Sequence, residues 1–160
     1  MLFRSGAKGS GDWSVTTDGG EVMFNNQDYA LLARFTTASG WTLRVFTYDD
    51  GTIKYYEDGI LVGTASGRFN ATSSLPLLVG GLPSGYPSGS FADIAYWSTA
   101  LSSIELASLA NGTLLPADFP SLVAWWPLDE GVGTSIHDAS GNDFDLTARD
   151  TTWGTYTCAP

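Results

Sequence analysis

Two Asp-Gly pairs, Asp50-Gly51 and Asp58-Gly59, each stand between short runs of apolar and β-branched residues. That punctuation leaves this part of the chain little choice but antiparallel hairpins. Glycine enters the positive-φ turn region at little cost, and an Asp-Gly pair matches the two-residue turns whose twist suits paired strands. Asp18-Gly19-Gly20 and Ser39-Gly40 break the chain in the same manner. The runs between these breaks predict strands at Trp13–Thr16, Glu21–Asn25, Tyr29–Thr36, Trp41–Tyr48, Ile53–Glu57 and Leu61–Ala65. In the strand at 41–48, Trp41, Leu43 and Val45 alternate with Thr42, Arg44 and Phe46, so one face is apolar and the other mixed. A sheet layer with one side on a core has this pattern.

Residues 66–90 are rich in Gly, Ser and Pro around one apolar island, Leu75–Val79, which reads as a strand followed by a loop from Gly80 to Gly89. Phe91–Trp97 predicts a further strand, with Asp93 on the face of Phe91 and Trp97. The one good helix is Ser103–Ala110: Ser102 is a natural N-cap, Glu105 completes a capping box, Leu101 can staple onto Leu106, and Asn111-Gly112 ends it. Residues 113–120 read as a connector; Leu122–Trp126 is the last strong strand, with a short one at Phe144–Ala148. No fixed-period repeat occurs, which argues against a solenoid or propeller.

A chain of 160 residues suits one domain with room for a two-layer core. The expected division is a main body at 1–112, a connector at 113–120 and a C-terminal segment at 121–160 that completes the sandwich. The formal charge of −10, with only seven Lys and Arg residues, excludes a phosphate-binding surface, so no nucleic-acid partner is expected. The acidity suits solubility in salt or a cation-binding surface. The single cysteine, Cys158, rules out an internal disulfide. No apolar run reaches membrane-spanning length, so no membrane partner is expected, and Met1–Gly6 lacks the apolar core of a signal peptide. An extracellular location would then need another route, a longer parent chain, or a place on a virion surface.

Residues 122–144, LVAWWPLDEGVGTSIHDASGNDF, resemble the opening of a laminin-G-like domain of the concanavalin-A-like lectin and glucanase superfamily. The strand–turn–strand YYEDGILVG at 55–63 is similar to that family too, as are Trp41, Tyr48-Asp49, the aliphatic-Gly run at 77–80, the stretch Gly89–Trp97 and the helix through Gly112. The order departs from the family's, because the usual opening comes last, and nothing before residue 13 resembles the strands that normally follow it. Two arrangements fit. In one the domain is permuted and Leu122–Trp126 pairs near Phe91–Trp97. In the other, residues 121–160 begin a truncated second module or swap into a neighbouring subunit.

The resemblance implies an all-β fold, a two-layer antiparallel jelly-roll β-sandwich with one short helix, and recognition rather than catalysis. The superfamily's retaining glucanases carry two carboxylates at alternating strand positions. Here Glu57 and Asp58 are adjacent, as are Asp129 and Glu130, and neighbours on a strand face opposite ways. His137 is the only histidine, without a partner for a zinc or Cys–His site. Asp138-Ala-Ser-Gly-Asn142-Asp143 is the best calcium candidate, since that ion takes six to eight oxygens, and Asp93 could join it if the strands pair as above. Alternatively Asp138 and Asn142 only cap a Ser-Gly turn. Tyr86 in the Gly/Ser/Pro loop could stack on a sugar, with Asp49 and Asp50 as further ligand-binding candidates. Asn70-Ala-Thr72 and Asn111-Gly-Thr113 match the glycosylation pattern, which is common by chance. The favoured role is a glycan- or protein-binding module. The rival is a structural virion protein, a capsid cement or tail component, whose lattice neighbours or homo-oligomer complete an open sheet.

Overall fold

The computed structural model describes residues 3–5, 14–18, 21–25, 29–34, 41–66, 77–79 and 90–155, and for the strands before residue 41 and at 77–79 only their backbone pairing. Its strands are β1 (Phe3–Ser5), β2 (Ser14–Asp18), β3 (Glu21–Asn25), β4 (Tyr29–Arg34), β5 (Arg44–Asp49), β6 (Thr52–Glu57), β7 (Ile60–Ser66), β8 (Leu77–Val79), β9 (Ile94–Trp97), β10 (Leu122–Trp126), β11 (Ser135–Ile136) and β12 (Leu146–Thr147). Among the described residues there is one α-helix, α1, at Ser103–Ala110, and a 3-10 turn covers Pro116–Asp118. The described sheets run β4-β3-β2-β1-β8, β5-β6-β7, β9-β10 and β11-β12, and every strand pairing among the described residues is antiparallel. The chain is mostly β with one short helix.

Both Asp-Gly pairs form two-residue turns. Asp49 pairs with Thr52 across Asp50 (φ 39°) and Gly51 (φ 80°), and Glu57 pairs with Ile60 across Asp58 (φ 48°) and Gly59 (φ 79°). Two positive φ angles in succession make a type I′ turn. Strand β5 starts three residues later than the expected Trp41. The Asp58 carboxylate takes the Leu43 N–H at 2.8 Å, and the Leu43 carbonyl accepts from Asp58 N at 2.9 Å, so a turn residue replaces the strand partner there. The expected one-sided burial also differs. Val45 and Tyr56 pair on one face and are buried; on the other, Phe46 stacks on Tyr55 at 4.7 Å, and Tyr55 and Ile53 are fully enclosed. Burial, and then the bond to Glu57, push the Tyr55 phenol well above its ordinary range.

The helix is capped as its sequence requires: Ser102 Oγ accepts from Glu105 N, and Glu105 Oε2 accepts from Ser102 N at 2.7 Å. Leu101 and Leu106 are buried in one cluster with Val45, Tyr56 and Phe119, with Trp97 against it. Gly59 lies under the helix. A Cβ there would stand 3.1 Å from the Ala107 Cα and 3.3 Å from the Ala110 Cβ, so a side chain would press the turn and the helix apart by a few tenths of an ångström.

Strand β9 begins at Ile94 rather than Phe91, because Asp93 adopts φ 52° and its N–H leaves the strand to bond the Pro127 carbonyl. It pairs with β10, joining Leu122 to Trp97, Ala124 to Tyr96, Trp125 to Ala95 and Trp126 to Ile94, with a bulge between Leu122 and Ala124. Directly opposed residues share a face. Ile94, Ala124 and Trp126 enter a second cluster with Ile136, flanked by Leu128, Leu146, Ala148 and Trp153. Trp97 belongs to the helix-side cluster, where it meets Phe119 edge-on at 6.1 Å. The β9–β10 ribbon thus has a core on each side.

Two short strands escape the sequence pattern. Phe3–Ser5 pairs with both β2 and β8, although no strand is expected before residue 13, and Ser135–Ile136 pairs with β12. Runs of two or three residues are too short for a period of two to show.

Candidate functional site

The 138–145 loop carries five polar side chains, Asp138, Ser140, Asn142, Asp143 and Asp145, and its geometry begins with the free edge of β10. An edge strand presents unpaired N–H and C=O groups. Here the loop takes them up. Trp125 N donates to Asp138 Oδ1 at 2.9 Å, and the Trp125 carbonyl accepts from Ala139 N at 2.7 Å. The carbonyl of Val123, in the bulge, accepts from Asn142 Nδ2 at 2.9 Å and shares the one hydroxyl proton of Ser140, at 3.1 Å, with Asp138. Side chains therefore continue the sheet where no strand follows.

Asp138 is the centre of this arrangement and is 1% exposed. Its Oδ1 accepts from the backbone of Trp125 and Ser140; its Oδ2 accepts from Ser140 Oγ at 2.8 Å and Phe144 N at 3.0 Å. Burial alone would raise this carboxyl. The bonds from Trp125, Ser140 and Phe144 outweigh it and hold the group below the usual carboxylate range. A carboxylate offers about four lone-pair sites. All are engaged, so a cation would have to displace a donor. Among the described residues, no group of three or more His, Cys, Asp and Glu side chains is arranged to hold a metal ion.

Of the three expected calcium ligands, Asp138 and Asn142 share the loop and Asp93 does not. Asp93 accepts from the indole Nε1 of Trp125 at 3.2 Å, so Trp125 bonds Asp138 through its backbone and Asp93 through its side chain. The bonds of Asp138 and Asn142 are those of the turn-capping alternative, extended to the neighbouring strand. Asp49 and Asp50 are exposed at the tip of the β5–β6 hairpin, in a different sheet. Tyr86 and Asn70 lie outside the described residues; Asn111 is the helix C-cap, its Oδ1 accepting from Thr113 N at 2.9 Å.

Sequence reasoning overlooks the second ring of this loop. Asp145 Oδ1 accepts from Asp138 N at 2.8 Å and meets His137 Nδ1 at 3.1 Å, while Glu130 Oε1 accepts from His137 N at 2.7 Å. His137 is thus tethered through its backbone as well as its ring, which remains exposed. Nothing in a run of polar residues marks which carboxylate turns inward; the alternation of buried Ile136 and Asp138 was the available signal.

Residues 2–107 match the laminin-G family of the concanavalin A-like lectin/glucanases superfamily. The chain belongs to that superfamily. The match begins ahead of β1, so the strands before residue 13 are part of the family's pattern, and it ends inside α1. A proposed carbohydrate-binding protein from Bacteroides ovatus, known from its crystal structure, is similar in fold, with a TM-score of 0.68 and 16% identity over 91% of this chain and 50% of that one. The chain therefore spans half the length of that protein. An S-layer domain-containing protein from Clostridium thermocellum aligns with a TM-score of 0.43 and 19% identity, over 66% of this chain and 59% of that one. No curated protein matches the chain.

Proposed function

We propose that the chain is a non-catalytic, lectin-like recognition module that binds glycan, or a protein surface, through loops at one edge of a sandwich. The observation that carries this reading is membership of the lectin and glucanase superfamily over residues 2–107. The Bacteroides ovatus protein of similar fold, described as binding carbohydrate, agrees with it. Around the second hairpin turn the acidic groups serve structure: Glu57 pairs with Arg44 and accepts from Tyr55, and Asp58 closes the turn onto Leu43. A retaining pair would need two carboxylates about 5 Å apart and turned toward one substrate.

The architecture proposed with it is a single two-layer jelly roll in which residues 121–160 complete the body formed by 1–112. The β9–β10 pairing supports this, as does an alignment to the Bacteroides ovatus fold that leaves about 9% of the chain uncovered, far less than that segment. An extracellular setting follows from the proposed role; no helix among the described residues is long and apolar enough to cross a membrane. The virion role has no observation in its favour.

A glycan array probed with the purified chain, with and without a chelator, tests the reading. Binding to a defined set of glycans, weakened in Tyr86→Ala, is expected. An empty array together with a symmetric oligomer by light scattering would overturn it. Loss of binding on chelation would show that calcium takes part in the site.

A further inference from the structure

We propose that the ring of Phe144 is the stacking platform of the glycan site, and that its ligand is a neutral rather than a sulfated or sialylated sugar; this rests on the lectin reading above. Phe144 is held at both ends of its peptide by groups buried deep in the segment. Its N–H donates to Oδ2 of Asp138, and its carbonyl accepts from the indole Nε1 of Trp126 at 2.7 Å. Asp138 and Trp126 are almost wholly enclosed, at 1% and 2% exposure. The backbone of Phe144 is therefore as fixed as the core it bonds to, while the side chain is 52% exposed.

That combination differs from an apolar residue stranded on a loose loop. A residue whose backbone is anchored before the ligand arrives has only its side-chain torsions left to lose on binding, which lowers the cost of ordering the site. Aromatic rings supply a broad apolar face at low entropic cost. A pyranose offers a matching face of C–H groups edged with hydroxyls. In the chain Asn142 and Asp143 precede Phe144 and Asp145 follows it, all three exposed, so the same loop carries polar groups able to meet those hydroxyls. Asp145 is oriented by Asp138 N and His137 Nδ1, so this acceptor is positioned as well.

Charge decides the class of sugar. Beside the buried Asp138, residues 127–150 carry five acids (Asp129, Glu130, Asp143, Asp145 and Asp150) against Arg149 as the one Lys or Arg, and the whole chain stands at −10. A surface of this sign repels anionic glycans and leaves neutral ones unaffected.

The test exploits the fact that the structural bonds of Phe144 are made by its backbone. Phe144→Ala keeps them and removes only the ring, and Phe144→Trp keeps a ring. Wild type and both variants are compared on an array of neutral, sialylated and sulfated glycans, with thermal melting as the folding control. Expected is binding to neutral glycans, weakened about tenfold or more in Phe144→Ala and retained in Phe144→Trp. If Phe144→Ala binds as wild type does, the platform is elsewhere and the lectin reading survives. A preference for sulfated or sialylated probes overturns the ligand class. If the wild type binds no glycan at all, the lectin reading itself fails and this inference with it.

Discussion

The hairpin body around β5, β6, β7 and α1 and the C-terminal segment around β10 are built by opposite means. In the body, backbone pairs with backbone: six consecutive residue pairs join β5 to β6, and Asp-Gly turns set the register. In the segment, the edge of β10 is completed by Asp138, Ala139, Ser140 and Asn142, three of them through side chains. A ladder spreads its stability over many bonds, each contributing about 1 kcal/mol. The segment concentrates it on one carboxylate. The two regions should therefore respond very differently to single substitutions, and β9, with Trp97 in one cluster and Ile94 in the other, is where they meet.

The largest effect is expected at Asp138. Asp138→Ala strands three backbone N–H groups at a position that is 1% exposed, while the Ser140 hydroxyl keeps Val123 as its acceptor, a loss of roughly 3 kcal/mol or more read from the urea midpoint. If the segment closes the same domain as the body, the whole chain unfolds in one transition at lower urea. Two separate transitions would show that residues 121–160 are a module of their own. The variant also changes the acid response. The folded-state value of Asp138 is depressed, so its contribution is complete above the ordinary aspartate value of about 3.9 and is lost as pH falls through the lower folded value. Wild type should lose more stability than Asp138→Ala on acidification below about pH 4.

This contrast also explains what the sequence made legible. The hairpins, the capped helix and the strand at Leu122–Trp126 follow from local rules: positive-φ turns, a Ser102–Glu105 box, a run of β-formers. The Asp138 loop follows from a long-range one. Which of Asp129, Asp138, Asp143 and Asp145 turns inward depends on which meets the N–H of Trp125, and that is decided by packing across 13 residues of separation. Asp93 shows the same limit: it adopts a left-handed conformation and bonds the carbonyl of Pro127, and no pattern within β9 announces either. Tyr86 falls in a stretch whose geometry is outside the described residues.

Glycine substitutions sharpen the comparison at a smaller scale. Gly59 and Gly141 have nearly the same backbone, at φ 79° and 84°. Alanine at either costs about 1 kcal/mol or somewhat more for the left-handed conformation. At Gly141 the new methyl meets nothing within 4 Å; at Gly59 it strikes the backbone of α1 at Ala107 and Leu106. Gly59→Ala is thus expected to destabilise by about 2–3 kcal/mol, with the excess over Gly141→Ala reporting the helix contact. Equal losses in thermal melts would mean that the helix shifts freely over the turn, and that the body is less rigid than its ladder implies.

The smallest effect is expected at Ser102. Its hydroxyl accepts from Glu105 N at 3.4 Å, a long bond on the surface that water can replace, so Ser102→Ala should cost about 1 kcal/mol. Its clearer signature is electrostatic. The bonds from Ser102 hold the Glu105 carboxylate below its ordinary range, and Ala at 102 keeps the backbone donor at 2.7 Å while removing the hydroxyl. The Glu105 titration, followed by carboxyl NMR shifts, should move upward without returning fully to the free value. A full return would mean that the backbone half of the capping box opens with the side-chain half. The helix start would then behave as the Asp138 loop is argued to do, with one side chain holding the rest in place, and the distinction between the two regions would narrow to the strands alone.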